Sequence, residues 1–278
     1  MKKICAIVTI SGLCLLAAAG IWALSTNTGS YSAKNQSVNS GETATFPKTT
    51  ITDSISQHSV SPEKTDFIEH STDDQPKILI AYFTWADNTT VTDSDAAIAG
   101  ALRHYQAMGD AGRYSETDAV SSASLIPPGN TAVVAGFIRD AVGGDLFSIQ
   151  VTEPYSPDYD QCLDQAAEEK ARNSRPALAN RVEDMDKYDI VFLGYPNWWY
   201  SVPMAVLSFA ESYDFSGKTI IPFCCHGTGG LAGSLRDLRP AFPNSTNFVN
   251  NAFGVYRPDT LGCQPEVNSW LRELGFEF

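Results

Sequence analysis

The sequence predicts a three-layer, doubly wound α/β fold, in which helices cover both faces of a five-stranded, mostly parallel sheet. Two observations support this fold class. Apolar runs rich in β-branched residues and bounded by glycine or proline recur along the C-terminal part of the chain, as expected of strands buried on both faces. Segments with helical periodicity lie between these runs, and this alternation is typical of βαβ units.

The predicted elements follow one another from residue 77 to the C-terminus. Strands are expected over residues 77–83, 145–151, 188–193, 218–225 and 247–256, with the last one interrupted by Asn250 and Asn251. Helices are expected over residues 130–142, 158–172, 203–213, 230–238 and 264–274. Pro203 lies near the start of one helix and Gly143 directly follows another, which are the helix ends that these two residue types favour.

One segment departs from this alternation. Residues 86–128 separate the first strand from its helix, where folds of this class usually have a short loop. Within the segment, residues 95–108 have helical spacing. An insertion that leaves the carboxyl end of the first strand should overhang the ligand crevice of an open α/β sheet. It is either surface decoration or a lid or docking surface.

The N-terminal part of the chain has a different character. Lys2 and Lys3 precede an uncharged apolar run over residues 4–24, so residues 1–25 predict a secretory signal peptide or an uncleaved membrane anchor. Residues 26–74 are rich in Ser, Thr, Asn and Gln, a composition that predicts a flexible stalk. The expected organisation is an exported, extracytoplasmic protein with a globular domain over residues 75–278, touching a membrane only through the anchor.

The net charge limits the kinds of molecule that the protein is expected to bind. It is −13 at pH 7, and such an acidic chain is not expected to bind nucleic acid or anionic lipid. The charge is compatible with a basic protein partner.

Large flat side chains follow the third strand, where open α/β sheets bind their ligands. Residues 196–200 read Pro-Asn-Trp-Trp-Tyr. Three consecutive aromatic side chains cannot all pack into the core, because alternate residues of an extended chain point to opposite sides. The loop is therefore predicted to line a ligand site. The sequence does not distinguish whether Trp198 or Trp199 contacts the ligand.

Several separate blocks resemble the flavodoxin-like family. They are residues 80–84 (Ile-Ala-Tyr-Phe-Thr), 129–131 (Gly-Asn-Thr), 143–147 (Gly-Gly-Asp-Leu-Phe), 194–199 (Gly-Tyr-Pro-Asn-Trp-Trp) and 222–229 (Pro-Phe-Cys-Cys-His-Gly-Thr-Gly). The blocks at 194–199 and 222–229 are similar to exported bacterial members, and the resemblance extends over about residues 77–278. It implies a sheet of strand order 2-1-3-4-5, bound FMN, and electron transfer to a redox partner protein or a small-molecule acceptor.

The phosphate of FMN would lie at the start of the helix at residue 130. A helix N-terminus presents unpaired N–H groups and partial positive charge, so it can hold an anion without Lys or Arg. Gly129, Asn130 and Thr131 match the family's phosphate loop, and Thr84 would add a second hydroxyl. Residues 84–89, which include Trp85, align with the same loop and offer Thr89 instead, although Asp87 would repel phosphate. Asn130 could also be a simple helix cap.

The flavin ring would lie between two loops. The resemblance implies one wall from Pro196, Asn197, Trp198, Trp199 and Tyr200, and a second wall from His226, Gly227, Thr228 and Gly229. An apolar slot with polar groups at its edge suits a flat ring. No catalytic acid–base pair and no metal site are expected.

The cysteines leave other chemistry open. Cys224 and Cys225 precede His226, a pattern that would suit a thiol nucleophile or, in an exported protein, a Cys225–Cys263 disulfide.

Three functions remain possible for the whole domain. The first is an FMN-dependent electron carrier, the second is an NAD(P)H-dependent FMN or quinone-type reductase, and the third is a ligand-binding module without redox activity.

Overall fold

A computed structural model describes residues 75–107, 124–227 and 229–278. The predictions for the signal segment (1–25) and the stalk (26–74), together with the site residue Thr228, lie outside these ranges. Within them, no helix is both long enough and apolar enough to cross a bilayer.

The described domain is built on one parallel sheet. Its strands are β1 Ile78–Tyr82, β2 Asp145–Ser148, β3 Ile190–Pro196, β4 Thr219–His226, β5 Asn247–Phe248 and β6 Phe253–Tyr256. The order is β2-β1-β3-β4-β5, with β6 also paired to β4, so the predicted order 2-1-3-4-5 is confirmed. The central strands β3 and β4 are buried along almost their whole length.

The sheet has six strands where five were expected. The single strand predicted over residues 247–256 is divided into β5 and β6, which both pair in parallel with β4. Ile220 pairs with Phe248 and Phe223 pairs with Phe253, so the outer chain holds two more residues than β4 between these pairs. The extra residues bulge at Asn250 and Asn251, because asparagine disfavours a regular strand.

Helices cover both faces of the sheet. They are α1 Ser94–Ala107, α2 Asn130–Val142, α3 Tyr159–Ala171, α4 Met204–Ala210, α5 Ser234–Leu238 and α6 Gln264–Glu273. Apolar residues of α2 and α6, such as Ile138 and Leu271, share one core with Phe192 of β3. The other face packs against α4, with Val191 and Phe209 in the second core. This is the predicted three-layer sandwich.

Two helices are four residues shorter than predicted, and the first is α4, which spans Met204–Ala210 where residues 203–213 were expected. Residues 230–238 were expected to be helical, but α5 begins only at Ser234. Gly230 and Ala232 have φ values of 59° and 44°, which a right-handed helix does not permit. The turns before α5 therefore form part of the loop after β4.

The insertion packs onto the domain through α1. Its buried residues include Ala97, Ala101 and Tyr105, which belong to the same core as Cys162 of α3. The described part of the insertion is therefore integrated into the core and is more than surface decoration.

Candidate functional site

A cleft lies where β1, β3 and β4 end, at the carboxyl edge of the sheet. It holds about 720 Å³ of atom-free space, including the part open to solvent. Most of the residues predicted for the site line it. They are Thr84, Trp85, Asn130, Thr131, Pro196, Asn197, Trp198, Trp199, His226 and Gly227.

The start of α2 forms one end of the cleft. Gly129 is the N-cap, with φ 77° and ψ 154°, and it has no side chain of its own to cap the helix. Asn130 is the first helical residue, so it is not the cap, and its N–H donates to Ser124 Oγ at 2.9 Å. A Cβ atom at Gly129 would lie 2.2 Å from Thr84 Oγ1. Only glycine lets the Thr84 hydroxyl approach the helix start this closely.

Two buried polar atoms of residues that line the cleft have no hydrogen-bond partner in the described structure. They are Thr84 Oγ1 and Trp85 Nε1, in residues that are 1% and 4% exposed. An unsatisfied buried donor costs about 1–3 kcal/mol. A hydroxyl beside a helix N-terminus and an indole N–H in the same cleft wall are donors that suit an anionic oxygen. The folded chain thus holds a set of donors that a bound anion would satisfy.

Thr131, rather than Thr89, lies at this helix start. Thr131 is buried and lines the cleft, with its hydroxyl beside the thiol of Cys225. The Thr89 hydroxyl donates to the carbonyl of Tyr155 at 2.8 Å, and Thr89 is not part of the cleft wall. Asp87, which was expected to repel a phosphate, accepts a hydrogen bond from Ser148. Residues 87–89 therefore connect β1 to the segment after β2.

The loop after β3 forms a tight reverse turn. The N–H of Trp198 donates to the Ser201 carbonyl at 3.1 Å, and the N–H of Ser201 donates to the Trp198 carbonyl at 3.0 Å. Trp199 and Tyr200, the two central residues, have φ values of 51° and 61°. Positive φ at both positions is the signature of a type I′ turn, which normally holds Asn-Gly. Bulky residues there store strain of the kind that collects at functional sites.

The three aromatic side chains of the turn lie in different surroundings. Trp198 packs edge-on against Phe83 and Tyr155, with ring centroids 5.4 Å and 5.1 Å away, while one side of it still lines the cleft. Trp199 is 42% exposed and its indole N–H donates to the Leu163 carbonyl at 2.9 Å. Tyr200 is 67% exposed and lies outside the cleft wall. Trp199 is thus the accessible flat surface at the cleft.

The loop after β4 forms the opposite wall. His226 Nδ1 lies 2.7 Å from the Gly227 carbonyl oxygen, and the Asn197 N–H donates to the Cys225 carbonyl at 2.9 Å. The Asn197 side-chain amide donates to the Gly230 carbonyl, which joins the two loops. Gly229 is not part of the cleft wall. A Cβ atom at that position would lie 3.1 Å from the Tyr200 ring, so the two residues pack together beside the cleft.

The cysteines are not arranged for catalysis. Cys162, Cys224, Cys225 and Cys263 are all free and buried, so the disulfide considered for Cys225 and Cys263 is not formed. Burial raises the pKa of the Cys225 thiol to about 12. A thiol that is protonated at neutral pH is a poor nucleophile. No three His, Cys, Asp or Glu residues converge as a metal site within the described ranges.

Sequence reasoning missed several residues of the cleft, which are Ser124, Tyr159, Cys162, Leu163, Ala166 and Arg257. Arg257 directly follows β6, and its place at the carboxyl edge of the sheet was the signal that could have found it. Its guanidinium donates to the hydroxyl of Tyr105, whose oxygen lies 3.1 Å from that of Tyr159. Despite the net charge of −13, no Asp or Glu is among the described residues that line the cleft.

Comparison with known proteins gives one family model and several similar solved structures. The family model described as Flavodoxin matches residues 119–254. A candidate flavoprotein from Bacteroides eggerthii DSM 20697 is 24% identical, with a TM-score of 0.51, and the alignment covers 73% of this chain and all of that one. A Lactobacillus acidophilus NCFM flavoprotein, solved in complex with FMN, is 17% identical, with a TM-score of 0.43, over 71% of this chain and 99% of that one. A search of curated proteins gives no match.

Proposed function

This chain is a member of the flavodoxin-like family, and we propose that its cleft binds FMN and that the bound FMN carries electrons between redox partners. The fold is an FMN-binding fold. The observation that carries the proposal is the unpartnered, buried Thr84 hydroxyl at the start of α2. A phosphate there would accept hydrogen bonds that the protein otherwise leaves unmade.

The phosphate end of the cleft fits a mononucleotide. The first amides of α2 lack helical partners and carry the positive end of the helix dipole. Gly129 has no side chain, which leaves room beside Thr84 Oγ1 for a ligand oxygen. Trp85 Nε1 supplies another buried donor without a partner. Binding would therefore replace an unsatisfied state with charge-assisted hydrogen bonds.

The ring end of the cleft fits a flavin. Trp199 offers a flat, partly exposed face, and His226 and Gly227 supply the opposite wall with backbone polar groups at its edge. Aromatic stacking excludes water and holds the ring in one orientation. When bound, FMN supplies the one- and two-electron chemistry, so the protein's own contribution is to bind, orient and shield it. Electron transfer by bound FMN therefore needs no catalytic acid or base from the chain.

The direct test is to purify the full chain, record its visible absorption, and identify the chromophore released by acid. A yellow protein that releases FMN, or an apoprotein that takes up FMN with micromolar or tighter affinity, is expected. A colourless protein that cannot be reconstituted with FMN would contradict the proposal and favour a binding module of another kind.

Replacing Thr84 by valine is expected to have opposite effects on stability and on binding. Valine removes the unpaired hydroxyl at nearly constant volume, so the apoprotein should gain about 1 kcal/mol of unfolding free energy. FMN affinity should fall about tenfold, because one hydrogen bond to a charged group is lost. Chemical denaturation and FMN fluorescence titration measure the two effects.

Thr89→Val is the matched control for this variant. The Thr89 hydroxyl bonds the Tyr155 carbonyl outside the cleft wall. This variant should therefore lose stability and keep its FMN affinity. A larger loss of FMN affinity in Thr89→Val than in Thr84→Val would move the phosphate away from the start of α2.

The electron donor and acceptor define the next experiment. We favour an electron carrier with a protein or small-molecule partner, and the alternative is an NAD(P)H-dependent reductase. Holoprotein mixed with NADPH or NADH alone should show no rapid bleaching of the flavin absorbance. Rapid bleaching, with turnover of a quinone, would establish the reductase instead.

Export is part of the proposal. It is supported by Lys2, Lys3 and the apolar run at residues 4–24. Fractionation of cells that express the full chain should place it outside the cytoplasm. A variant lacking residues 2–24 should stay in the cytoplasm, and an unchanged distribution would contradict export by this segment.

A further inference from the structure

Arg257 occupies a position in the cleft that the family resemblance did not suggest. Its guanidinium lies against Gly227, with Nη1 2.9 Å from the place where a Cβ of that residue would stand. It also donates from Nη2 to the Tyr105 hydroxyl, and its Cζ lies 5.4 Å from the centre of the Tyr105 ring. Tyr105 belongs to α1 of the insertion, so this helix fixes a charged group at the cleft.

Arg257 lines the same cleft as the start of α2. Cys225 at the end of β4 and Gly227 directly after it both line this cleft, together with Thr131. The Cys225 thiol contacts the hydroxyl of Thr131, in the first turn of α2, and that of Thr260. Thr260 in turn donates to the Arg257 carbonyl at 2.8 Å. The guanidinium, which lies against Gly227, and the first turn of α2 therefore belong to one cleft.

The charges around the cleft indicate which ligand group Arg257 can bind. The other described polar groups at the helix start are neutral hydroxyls and backbone amides, and no carboxylate is among the described residues that line the cleft. A phosphate dianion held there would keep an uncompensated charge in a partly desolvated site. A guanidinium is always protonated and offers a planar fork of donors that suits phosphate oxygens.

We propose that Arg257 pairs with the phosphate of the bound mononucleotide, and that Tyr105 of the inserted helix holds the guanidinium in place for this contact. The inference rests on the proposed function. It gives the insertion a role in cofactor recognition, because α1 supplies the hydroxyl that orients the arginine. It also distinguishes this cleft from one in which a helix N-terminus alone binds the anion.

The test compares FMN with riboflavin, which has the same ring and lacks the phosphate. Apoprotein of the full chain is titrated with each flavin, and flavin fluorescence is followed. Arg257→Gln should weaken FMN binding about 10- to 100-fold, as expected for a lost charged hydrogen bond. Riboflavin affinity should be unchanged, and its binding also shows that the variant is folded.

Three further variants define the role of each group. Arg257→Lys keeps the charge and should restore part of the FMN affinity. Tyr105→Phe keeps the arginine but removes the hydroxyl that orients it, so it should cause a smaller loss, about threefold to tenfold, for FMN only. Arg236→Gln removes an equal charge from a side chain that is 80% exposed and outside the cleft wall, and should leave both affinities unchanged.

The outcomes separate this inference from the proposed function. Wild-type protein that binds FMN, with Arg257→Gln binding it equally well, would overturn the role of Arg257 and leave the proposed function standing. Equal losses for FMN and riboflavin would also overturn it, because they would indicate a structural role or a contact with the ring. Wild-type protein that binds neither flavin would overturn the proposed function and, with it, this inference.

Discussion

Replacing Gly129 by alanine is expected to lower FMN affinity more than about 100-fold, a loss of more than about 2.7 kcal/mol. The new Cβ would lie 2.2 Å from Thr84 Oγ1 and 3.0 Å from the Ala86 side chain. It would also force an L-residue into φ 77° and ψ 154°, a region that only glycine readily adopts. Relief requires moving the Thr84 hydroxyl and the start of α2, so the two parts of the phosphate site would shift together.

Gly136→Ala is the matched control in the same helix. A Cβ at Gly136 has no heavy atom within 4 Å, and the residue lies in the interior of α2. This variant should keep its FMN affinity and gain about 0.5–1 kcal/mol of stability, because alanine favours a helix interior over glycine. FMN titration and denaturant unfolding of both variants measure the contrast. Unchanged FMN affinity in a folded Gly129→Ala protein would show that the phosphate binds elsewhere.

The parts of the fold set by local pattern could be predicted from the sequence. β3 and β4 are apolar along their length because both faces are covered, and this pattern is visible without any structure. The start of α2 was also predictable, since Gly129, Asn130 and Thr131 form a recognisable block. Most of the residues that line the cleft belong to short local motifs of this kind, so they could be predicted from the sequence.

The parts set by long-range packing were not predictable. The division between β5 and β6 depends on register with β4, and the contact of Arg257 with Tyr105 joins residues 152 positions apart in the chain. The choice between Thr89 and Thr131 also needed coordinates, because the sequence does not show that the Thr89 hydroxyl is bonded to the Tyr155 carbonyl. Single residues of this kind carry no local pattern that would distinguish them from surface residues.

The unpartnered donors and the strained turn point to the same conclusion by independent routes. Thr84 Oγ1 is costly to bury in the free protein, and Trp199 and Tyr200 are costly to hold at positive φ. Neither feature stabilises the fold as described, and both lie at or beside one cleft. A bound flavin mononucleotide explains them together, since its phosphate would satisfy the donors and its ring would be covered by Trp199.

Trp199→Asn combined with Tyr200→Gly is expected to stabilise the apoprotein while weakening FMN binding. Asn-Gly is the preferred pair at the centre of a type I′ turn, so the double variant should relieve about 2–4 kcal/mol of backbone strain. The lost hydrogen bond to the Leu163 carbonyl and the lost indole packing offset part of this gain. A net gain of about 1 kcal/mol should appear in denaturant unfolding of the apoprotein.

The same double variant should lose about 10- to 100-fold in FMN affinity, the effect typical of removing an aromatic stacking partner. The single variants separate the two effects, because Tyr200 lies outside the cleft wall whereas Trp199 lines it. Tyr200→Gly should gain stability and keep its FMN affinity, while Trp199→Asn should carry the loss of binding. If Trp199→Asn binds FMN as tightly as the wild type, then Trp198 rather than Trp199 covers the flavin, and the strain in the turn needs another explanation.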